Sequence, residues 1–322
     1  MDIIDSVLDG LQLHSTVFAR LELTGDWGFA KSALPGAPFH ILLSGEAWIE
    51  LAFQSKLFRL RPGDVVILPK GEAHNLMAKP GATLVPFQQV LAEAGSQRWT
   101  PGIRIKPTRM KLGTGDGPIT HMISGVFGFG DRRENPLLEA LPRLFHLKAD
   151  QADEDSPRAW LRSTLKSLET EVDSGRPGAG AVAARLADIL LIQAVRTYLA
   201  TSTPKYRGWL RGMVDPRLSR VLSQIHAHPE RSWSVATLAA VAGMSRSRFA
   251  AYFQEVIGQT PIDYLTGWRM YNAAGDMMSA NIGLTVMAEK AGYKSEVAFS
   301  KAFKRWAGCS PATYKRRAKA RG

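Results

Sequence analysis

Two short segments near the end of the chain carry small, polar and basic side chains at positions that would share the outer face of a helix. Long basic side chains can reach guanine edges or phosphates, and small ones permit close approach to DNA and contact with thymine methyl groups. This mixture of side chains is suited to the major groove of double-stranded DNA. The candidate contact residues are Arg246, Ser247, Arg248, Ala250, Ala251 and Gln254 in the first segment, and Ser295, Glu296, Val297, Ser300, Lys301, Lys304 and Arg305 in the second.

Both segments belong to one pattern that occurs twice between Asp215 and Gly322. The two copies are offset by 49 residues at the first glycine and by 50 residues at the second phenylalanine. A repeat at this spacing indicates one supersecondary unit used twice. The matching positions are Gly243, Phe249, Phe253, Gly258 and Pro261 in the first copy, and Gly292, Phe299, Phe303, Gly308 and Pro311 in the second.

Each copy reads as a helix, a tight glycine turn and a second helix. In the first copy a short apolar helix, Val235–Ala242, is predicted to end at Gly243, because glycine readily adopts the left-handed conformation that terminates helices. Ser245 is a good N-cap for a following helix whose phenylalanines face inward. The corresponding helices of the second copy are Thr285–Lys290 and Ser295–Trp306. The pattern predicts two helix-turn-helix units.

Two interpretations of this region are DNA binding and a helical bundle whose outer faces contact only water, and the net charge of the region distinguishes them. Asp215–Gly322 contains 16 Lys and Arg against 7 Asp and Glu, which is +9 of the chain's net +12. Positive charge concentrated in this way favours a partner with a phosphate backbone. Arg305 and the tail residues Lys315, Arg316 and Arg317 are expected on phosphates, which position a protein on DNA without specifying sequence.

The C-terminal motifs resemble the signature of the AraC/XylS-type transcription regulators. The resemblance covers roughly the last hundred residues. It implies two helix-turn-helix units joined by a linker helix, here Ile262–Met278, each placing one recognition helix in the major groove of a promoter or operator. It also implies RNA polymerase as a partner. The residues that carry it are Arg269, Met270, Ala273, Ile282, Ala288, Gly292, Tyr293, Phe299, Phe303, Lys304, Gly308, Ser310 and Pro311.

The first half of the chain contains short, evenly spaced segments rich in β-forming residues, which predicts a sandwich or small barrel. The expected strands are Val17–Leu23, Phe39–Leu43, Ala47–Phe53, Lys56–Arg59, Asp64–Leu68 and Thr83–Gln89. The pattern formed by Gly63, Pro69, Gly71 and His74 resembles the second motif of the cupin barrel, and the stretch around His40 resembles a reduced first motif. Downstream residues continue the resemblance to the cupin-type sensor domain of some AraC-type regulators.

The histidines of this region leave two interpretations open. Metal-dependent cupin enzymes use a His-x-His pair, but His40 is followed two positions later by Leu42. His40, His74 and His121 could still meet in space around a metal, or they are ordinary strand and turn histidines. We assign no catalytic residue, no metal and no cofactor. A barrel mouth with a few polar groups suits a small ligand, and the candidate ligand-binding residues are His40, Trp48 and His74.

Helical segments separate the two regions. Ser156-Pro157 is expected to start one helix and Ala179–Ala200 to form a second, whose apolar stripe is broader than packing on one sheet requires. The second helix either packs only on its own barrel or also forms a homodimer, as the resemblance implies. Thr201–Met213 contains Pro204 and two glycines and is predicted to be a flexible interdomain linker.

Composition limits the class of protein. The 322 residues allow two or three domains, and an apolar content of 45% is ample for cores. The single cysteine, Cys309, excludes an intramolecular disulfide and suits a reducing compartment. Met1–Leu13 lacks the basic start of a signal peptide, and no apolar run reaches membrane-spanning length. We expect a soluble, cytoplasmic protein without a membrane partner.

The predicted fold is α+β with two domains: an N-terminal cupin-like β-barrel, or jelly roll, with dimerisation helices, and a C-terminal all-α double helix-turn-helix domain. The expected boundaries are 1–150 for ligand sensing, 151–213 for dimerisation and linker, and 214–322 for DNA binding. The expected function is a sequence-specific transcription regulator that responds to an unidentified small molecule. The alternatives are a metal-dependent cupin enzyme fused to a DNA-binding tail and an architectural DNA protein without an effector.

Overall fold

The computed structural model describes residues 13–52, 56–93, 108–113, 116–129, 138, 140–149, 159–201, 208–279 and 282–319. They divide into two compact units. One is built from Leu13–Gly128 and Pro142–Tyr198, and the other mainly from Leu199–Gly322. The first contains sheets and the second only helices, so the prediction of an α+β protein with a sheet-rich and a helical domain is confirmed.

Among the described residues the first unit contains eleven strands in two sheets. The larger sheet has the order β11-β6-β3-β10-β1-β9 and the smaller β5-β4-β7-β2-β8. Apolar residues of both sheets, such as Leu21, Leu42, Ile49 and Leu76, share one buried core. The strands are β1 His14–Thr24, β2 Gly28–Lys31, β3 Ala37–Ser44, β4 Ala47–Leu51, β5 Lys56–Leu60, β6 Val65–Ile67, β7 His74–Met77, β8 Val85–Pro86, β9 Thr108–Gly113, β10 Ile119–Gly128 and β11 Phe145–Leu147.

Five of the six predicted strands coincide with β1, β3, β4, β5 and β6. The sixth prediction, Thr83–Gln89, is wrong beyond Pro86, because helix α1, Phe87–Glu93, begins there. Strands β2, β7, β9, β10 and β11 were not predicted. Strands β2 and β7 are each four residues long, and β7 is held between β2 and β4 by backbone pairing rather than by a strong β-propensity of its own.

Two helices complete the first unit, α2 Ala159–Ser174 and α3 Ala179–Thr201. The predicted helix start at Ser156-Pro157 lies outside the described residues. Gly175, Pro177 and Gly178 lie between the two helices. Asp188 of α3 is buried and accepts hydrogen bonds from the backbone and hydroxyl of Ser15, which ties α3 to the start of β1.

The second unit contains eight helices among the described residues. The predicted linker helix, Ile262–Met278, is confirmed and is one residue longer at each end, and the two helix pairs of the repeat are present. The helices are α4 Trp209–Val214, α5 Leu218–Ala227, α6 Val235–Ala242, α7 Arg246–Ile257, α8 Pro261–Ser279, α9 Leu284–Lys290, α10 Glu296–Ala307 and α11 Pro311–Lys319.

The flexible-linker prediction is wrong for its second half, where α4 lies. Trp209 and Leu210 are buried, and the Trp209 indole Nε1–H donates to the hydroxyl of Tyr264 at 2.7 Å. A Cβ atom at Gly212 would lie 2.3 Å from a methyl carbon of Ile257, so α4 packs closely on α7. The apolar burial of a tryptophan outweighs the local signal of the glycines.

Local signals set the helix ends of the repeat, and the predicted helix end at Gly243 is confirmed. Ser234 forms a capping box with Thr237 at the start of α6, and Gly243 ends that helix in the left-handed conformation with φ 66°. Ser245 occupies the predicted N-cap position of α7 but forms no side-chain cap hydrogen bond, whereas Ser295 caps α10 by accepting from the Ala298 N–H. Helices α6–α7 and α9–α10 therefore form the two units, called here the first and second helix-turn-helix.

The cores of the two helix-turn-helix units have the predicted phenylalanines at their centres. The side chains of Phe249, Phe253, Phe299 and Phe303 are fully buried. No helix in the part of the chain that the structure describes is long and apolar enough to cross a membrane.

Candidate nucleic-acid interface and barrel site

Helix α7 presents a polar, positively charged face opposite its buried phenylalanines. Five of the six predicted contact residues are exposed and one is half-buried: Arg246, Ser247, Arg248, Ala251 and Gln254 are exposed, and Ala250 is half-buried. Neither of the two arginines is held by an ion pair within the described part of the chain. Their guanidinium groups therefore remain available to bases or phosphates.

Helix α10 presents a second face of different chemistry. Val297 has 65% of its surface exposed, so its methyl groups are accessible to an outside partner. Lys301, Lys304 and Arg305 are exposed, and Ser300 is half-buried. Six of the seven predicted contact residues of this helix are therefore exposed, counting Ser295 and Glu296.

Two of the α10 candidates already have partners inside the unit. The hydroxyl of Ser295 accepts the backbone N–H of Ala298 at 3.2 Å. The carboxylate of Glu296 accepts from the hydroxyl of Thr285 on α9. The sequence suggested base contacts for both, whereas the structure gives each a role in fixing the start of α10.

The barrel contains a buried polar cluster that spans its two sheets. His40 lies on β3 of the larger sheet and His74 on β7 of the smaller, and their Nε2 atoms are 2.9 Å apart. Both side chains are almost fully buried. Nδ1 of His40 lies 2.8 Å from the hydroxyl of Ser124, and Nδ1 of His74 lies 2.9 Å from the carbonyl oxygen of Glu72.

These contacts define the tautomers of both histidines. The Glu72 carbonyl can only accept, so Nδ1 of His74 carries the proton and its Nε2 is an acceptor. Nε2 of His40 must then donate to His74, which leaves Nδ1 of His40 to accept from the Ser124 hydroxyl. Every ring nitrogen is satisfied with both imidazoles neutral. Protonation of both rings would leave two N–H groups facing each other at the Nε2–Nε2 contact.

Lys31 joins the cluster, and sequence reasoning missed it. It is paired with His74 in the β2–β7 register, and like Phe29 two residues earlier it faces the interior between the sheets. Its ammonium nitrogen lies 3.7 Å from the centre of the Phe87 ring. The sequence pattern that could have indicated it is that Phe29 and Lys31 are two residues apart and so share one face of a strand. The segment is only four residues long, which is too short to be recognised as a strand.

Burial determines the protonation of this cluster. It lowers the pKa of Lys31 to about 7 and the pKa of His74 to about 3, and for His74 the nearby Lys31 charge adds to the effect. The pKa of His40 also lies well below its usual value, because of burial first and then the charges of Lys31 and His74. The cluster therefore consists of neutral imidazoles beside an amine that changes charge near neutrality.

The other predicted barrel residues lie elsewhere. Ala47, Ile49 and Leu51 point into the core, so Trp48 lies on the opposite face of the smaller sheet and does not meet the histidine pair. His121 contacts the hydroxyl of Ser44 at 2.9 Å and is not part of the pair.

The three histidines do not converge on a metal site. Across the described ranges, with their gaps, no group of three or more His, Cys, Asp or Glu side chains is arranged to hold a metal ion.

Comparison with known proteins covers both units. Residues 2–200 match a family model described as a cupin, and residues 238–317 match one described as a helix-turn-helix domain. A putative AraC-like transcription regulator from Streptomyces lividans is 32% identical over 98% of this chain and 98% of that protein. The HTH-type transcriptional regulator AlkR from Acinetobacter baylyi is 30% identical over 98% of this chain and 99% of that protein.

Among solved structures, the DNA-binding domain of AdpA in complex with a target DNA is 32% identical to this chain. It covers 33% of this chain and 96% of its own length, with a TM-score of 0.32.

Proposed function

The chain belongs to the AraC-type transcription regulators, and from that premise we propose that α7 and α10 read two segments of one DNA site under the control of a ligand in the barrel. The observation that carries the proposal is the pair of helix-turn-helix units, each with its phenylalanines buried and its basic or small residues exposed. The concentration of positive charge in the same region supports a DNA partner.

The two recognition helices should read different sequences. Helix α7 offers Arg246 and Arg248 for guanine edges or phosphates, whereas α10 offers the exposed methyl groups of Val297 and the ammonium of Lys301. One chain therefore reads two dissimilar segments, about 10 base pairs apart if both helices enter the same face of the duplex. The proposed contact residues are those predicted from the sequence, except that Ser295 and Glu296 act first within the protein.

The barrel is proposed to hold the effector. Lys31, His40 and His74 place an amine and two imidazoles within the interior shared by both sheets. A small polar ligand that replaces the His40–His74 hydrogen bond would act on both sheets at once. Barrel mouths with few polar groups are common small-molecule sites. The relatives are named as regulators, and we propose a sensing rather than an enzymatic role for the barrel.

Helix α3 is the proposed dimer contact. Val182 and Ile189 are 45% and 44% exposed and lie seven residues apart, with half-buried Leu186 between them on the same side of the helix. Pairing of two such stripes would remove apolar surface from water. Ile189→Glu should convert a dimer to a monomer in analytical ultracentrifugation, whereas Lys166→Glu, at an exposed position of α2 outside the stripe, should leave the dimer intact.

The remaining features of the proposal follow from its DNA target. We place ligand sensing in residues 1–150, dimerisation in 151–213 and DNA binding in 214–322, with α4 structurally part of the DNA-binding unit. RNA polymerase at the promoter is the expected second partner. A regulator of this kind acts in the cytoplasm, where the DNA lies.

The deciding experiment is selection of duplexes from a randomised library by the full-length protein, followed by footprinting. The expected result is protection of two major-groove segments about one helical turn apart. Affinity should fall steeply with salt, since binding releases counterions from several phosphates. Protection of a single segment, a strict requirement for an inverted repeat, or salt-independent affinity would contradict the proposal.

A further inference from the structure

We propose that Arg269 of α8 fixes the angle between the two helix-turn-helix units and thereby sets the spacing of the DNA segments that one chain reads. The inference rests on the proposed function, because it requires that α7 and α10 both enter DNA. It assigns to Arg269 a positioning role, since its side chain contacts protein and not DNA.

Helix α8 is shared between the two cores of the unit. Its first half packs with the first helix-turn-helix: Tyr264 contacts Phe253 edge to face, with ring centres 5.8 Å apart. Its second half packs with the second helix-turn-helix, where Met270, Ala273, Ala274 and Met277 share a core with Phe299 and Phe303. Arg269 stands at the boundary between these halves. Apolar packing holds each half but has little directional preference.

The Arg269 guanidinium contacts the loop before the first helix-turn-helix through two directed hydrogen bonds. Its Nε–H donates to the carbonyl oxygen of Pro229 at 2.6 Å, and an Nη2–H donates to the carbonyl oxygen of Arg231 at 2.7 Å. Both acceptors belong to the loop that leads into α6. A guanidinium presents its donors in a rigid fork, so two carbonyl partners define the orientation of the loop relative to α8.

The same guanidinium meets the turn of the second helix-turn-helix. Its central carbon lies 5.7 Å from the centre of the Tyr293 ring. A Cβ atom at Gly292 would lie 2.6 Å from Nη2 of Arg269 and 2.5 Å from the carbonyl oxygen of Glu230. The backbones of the two units therefore approach each other at this glycine, whose φ of 74° also favours glycine.

These contacts make one assembly, called here the Arg269 clamp: the loop 229–231, the guanidinium and the turn Gly292-Tyr293. The partly buried guanidinium contacts both the loop and the turn. Arg269 is not itself a member of the second phenylalanine core, so the apolar contacts among the residues of that core do not include its guanidinium. The expected consequence is a change in the relative angle of α7 and α10 without unfolding.

The test uses the full-length protein and duplexes selected by it from a randomised library. One inserted base pair moves the second segment by about 3.4 Å and rotates it by about 35°. The wild type should lose about tenfold in affinity on this insertion, close to the effect of one lost charge-assisted hydrogen bond. Arg269→Gln should lose less than about threefold, because its two units can adjust, and its affinity for the uninterrupted site should fall.

Two further variants distinguish the effect of the fork geometry of Arg269 from the effect of its positive charge. Arg231→Gln removes the same charge from the neighbouring loop but keeps the carbonyl that accepts from Arg269, so it should discriminate spacing as the wild type does. Arg269→Lys keeps the charge and the aliphatic stem but lacks the fork. It should behave like Arg269→Gln, and it replaces that variant if thermal melts show Arg269→Gln to be unfolded at the assay temperature.

The outcomes are distinct. Equal sensitivity to spacing in the wild type, Arg269→Gln and Arg269→Lys would overturn the clamp. Restoration of spacing discrimination by lysine would also overturn it, since charge alone would then suffice. A wild type that protects only one DNA segment would instead refute the two-segment function on which the inference rests.

Discussion

Nε2 of His40 lies 2.9 Å from Nε2 of His74, and this single hydrogen bond joins the two sheets of the barrel through their interior. It forms the middle of a chain that runs from the Ser124 hydroxyl to the Glu72 carbonyl. A buried polar chain is stable only while each member has its partner. The unfolding free energy of the first unit, and its dependence on pH, should therefore depend on these buried polar groups.

Loss of the Ser124 hydroxyl should destabilise the first unit. In Ser124→Ala, Nδ1 of His40 loses its donor and becomes a buried acceptor without a hydrogen bond, at a cost of about 1–3 kcal/mol. The measurement is the melting of the first unit by circular dichroism. Ser44→Ala is the matched control, because the 2.9 Å contact between Ser44 and His121 is exposed to water. Equal losses in both variants would contradict the buried-chain interpretation.

The stability of the first unit should rise with pH between about 7 and about 10.5. Lys31 has a pKa of about 7 in the folded protein and 10.5 as its ordinary value. Within this window the unfolded chain binds a proton that the folded chain does not, so increasing pH favours folding. The slope approaches about 1.4 kcal/mol per pH unit for one such group.

Replacement of Lys31 should remove this dependence. In Lys31→Met the slope of unfolding free energy against pH should flatten between pH 7 and 10. Lys56→Met, which removes an exposed lysine from β5, should keep the wild-type slope. Denaturant titrations at several pH values measure the difference, and identical slopes in the wild type and Lys31→Met would refute the assignment.

Core and surface positions of the second helix-turn-helix should separate stability from DNA binding. Phe303 is fully buried, and Phe303→Ala should cost about 3–5 kcal/mol and abolish DNA binding by unfolding the unit. Phe253→Ala should act in the same way on the first helix-turn-helix. Lys301 is exposed, and Lys301→Ala should weaken DNA binding in a folded protein. Equal melting temperatures of the three variants would contradict this division.

A DNA-binding fragment should begin before α4. The repeat region Asp215–Gly322 lacks Trp209, which is 5% exposed and donates to Tyr264. Gly208–Gly322 should be more stable by about 3–5 kcal/mol, the usual cost of removing a buried tryptophan side chain. Thermal melts of both fragments test this, and equal stability would show that α4 contributes nothing to the unit.

Most of the C-terminal unit could be predicted from the sequence because the patterns that specify its helices are local. Gly243 ends a helix in the left-handed conformation, and Ser245 starts the next helix from an extended backbone conformation. The spacing of Phe249 and Phe253 fixes which face is buried, and therefore which face remains for DNA. The second copy of the repeat led to the same predictions for α9 and α10.

Relations between distant segments were decided only by the tertiary structure. Lys31, His40 and His74 come from three separate strands, and neither strand β2 nor strand β7 has a strong propensity of its own. Arg269 was visible as part of a family signature, but its two carbonyl acceptors lie 38 and 40 residues away along the chain. A sequence pattern predicts conformations that residues close in the chain determine. Contacts between distant segments depend on how whole helices and strands pack, so they are seen only in the tertiary structure.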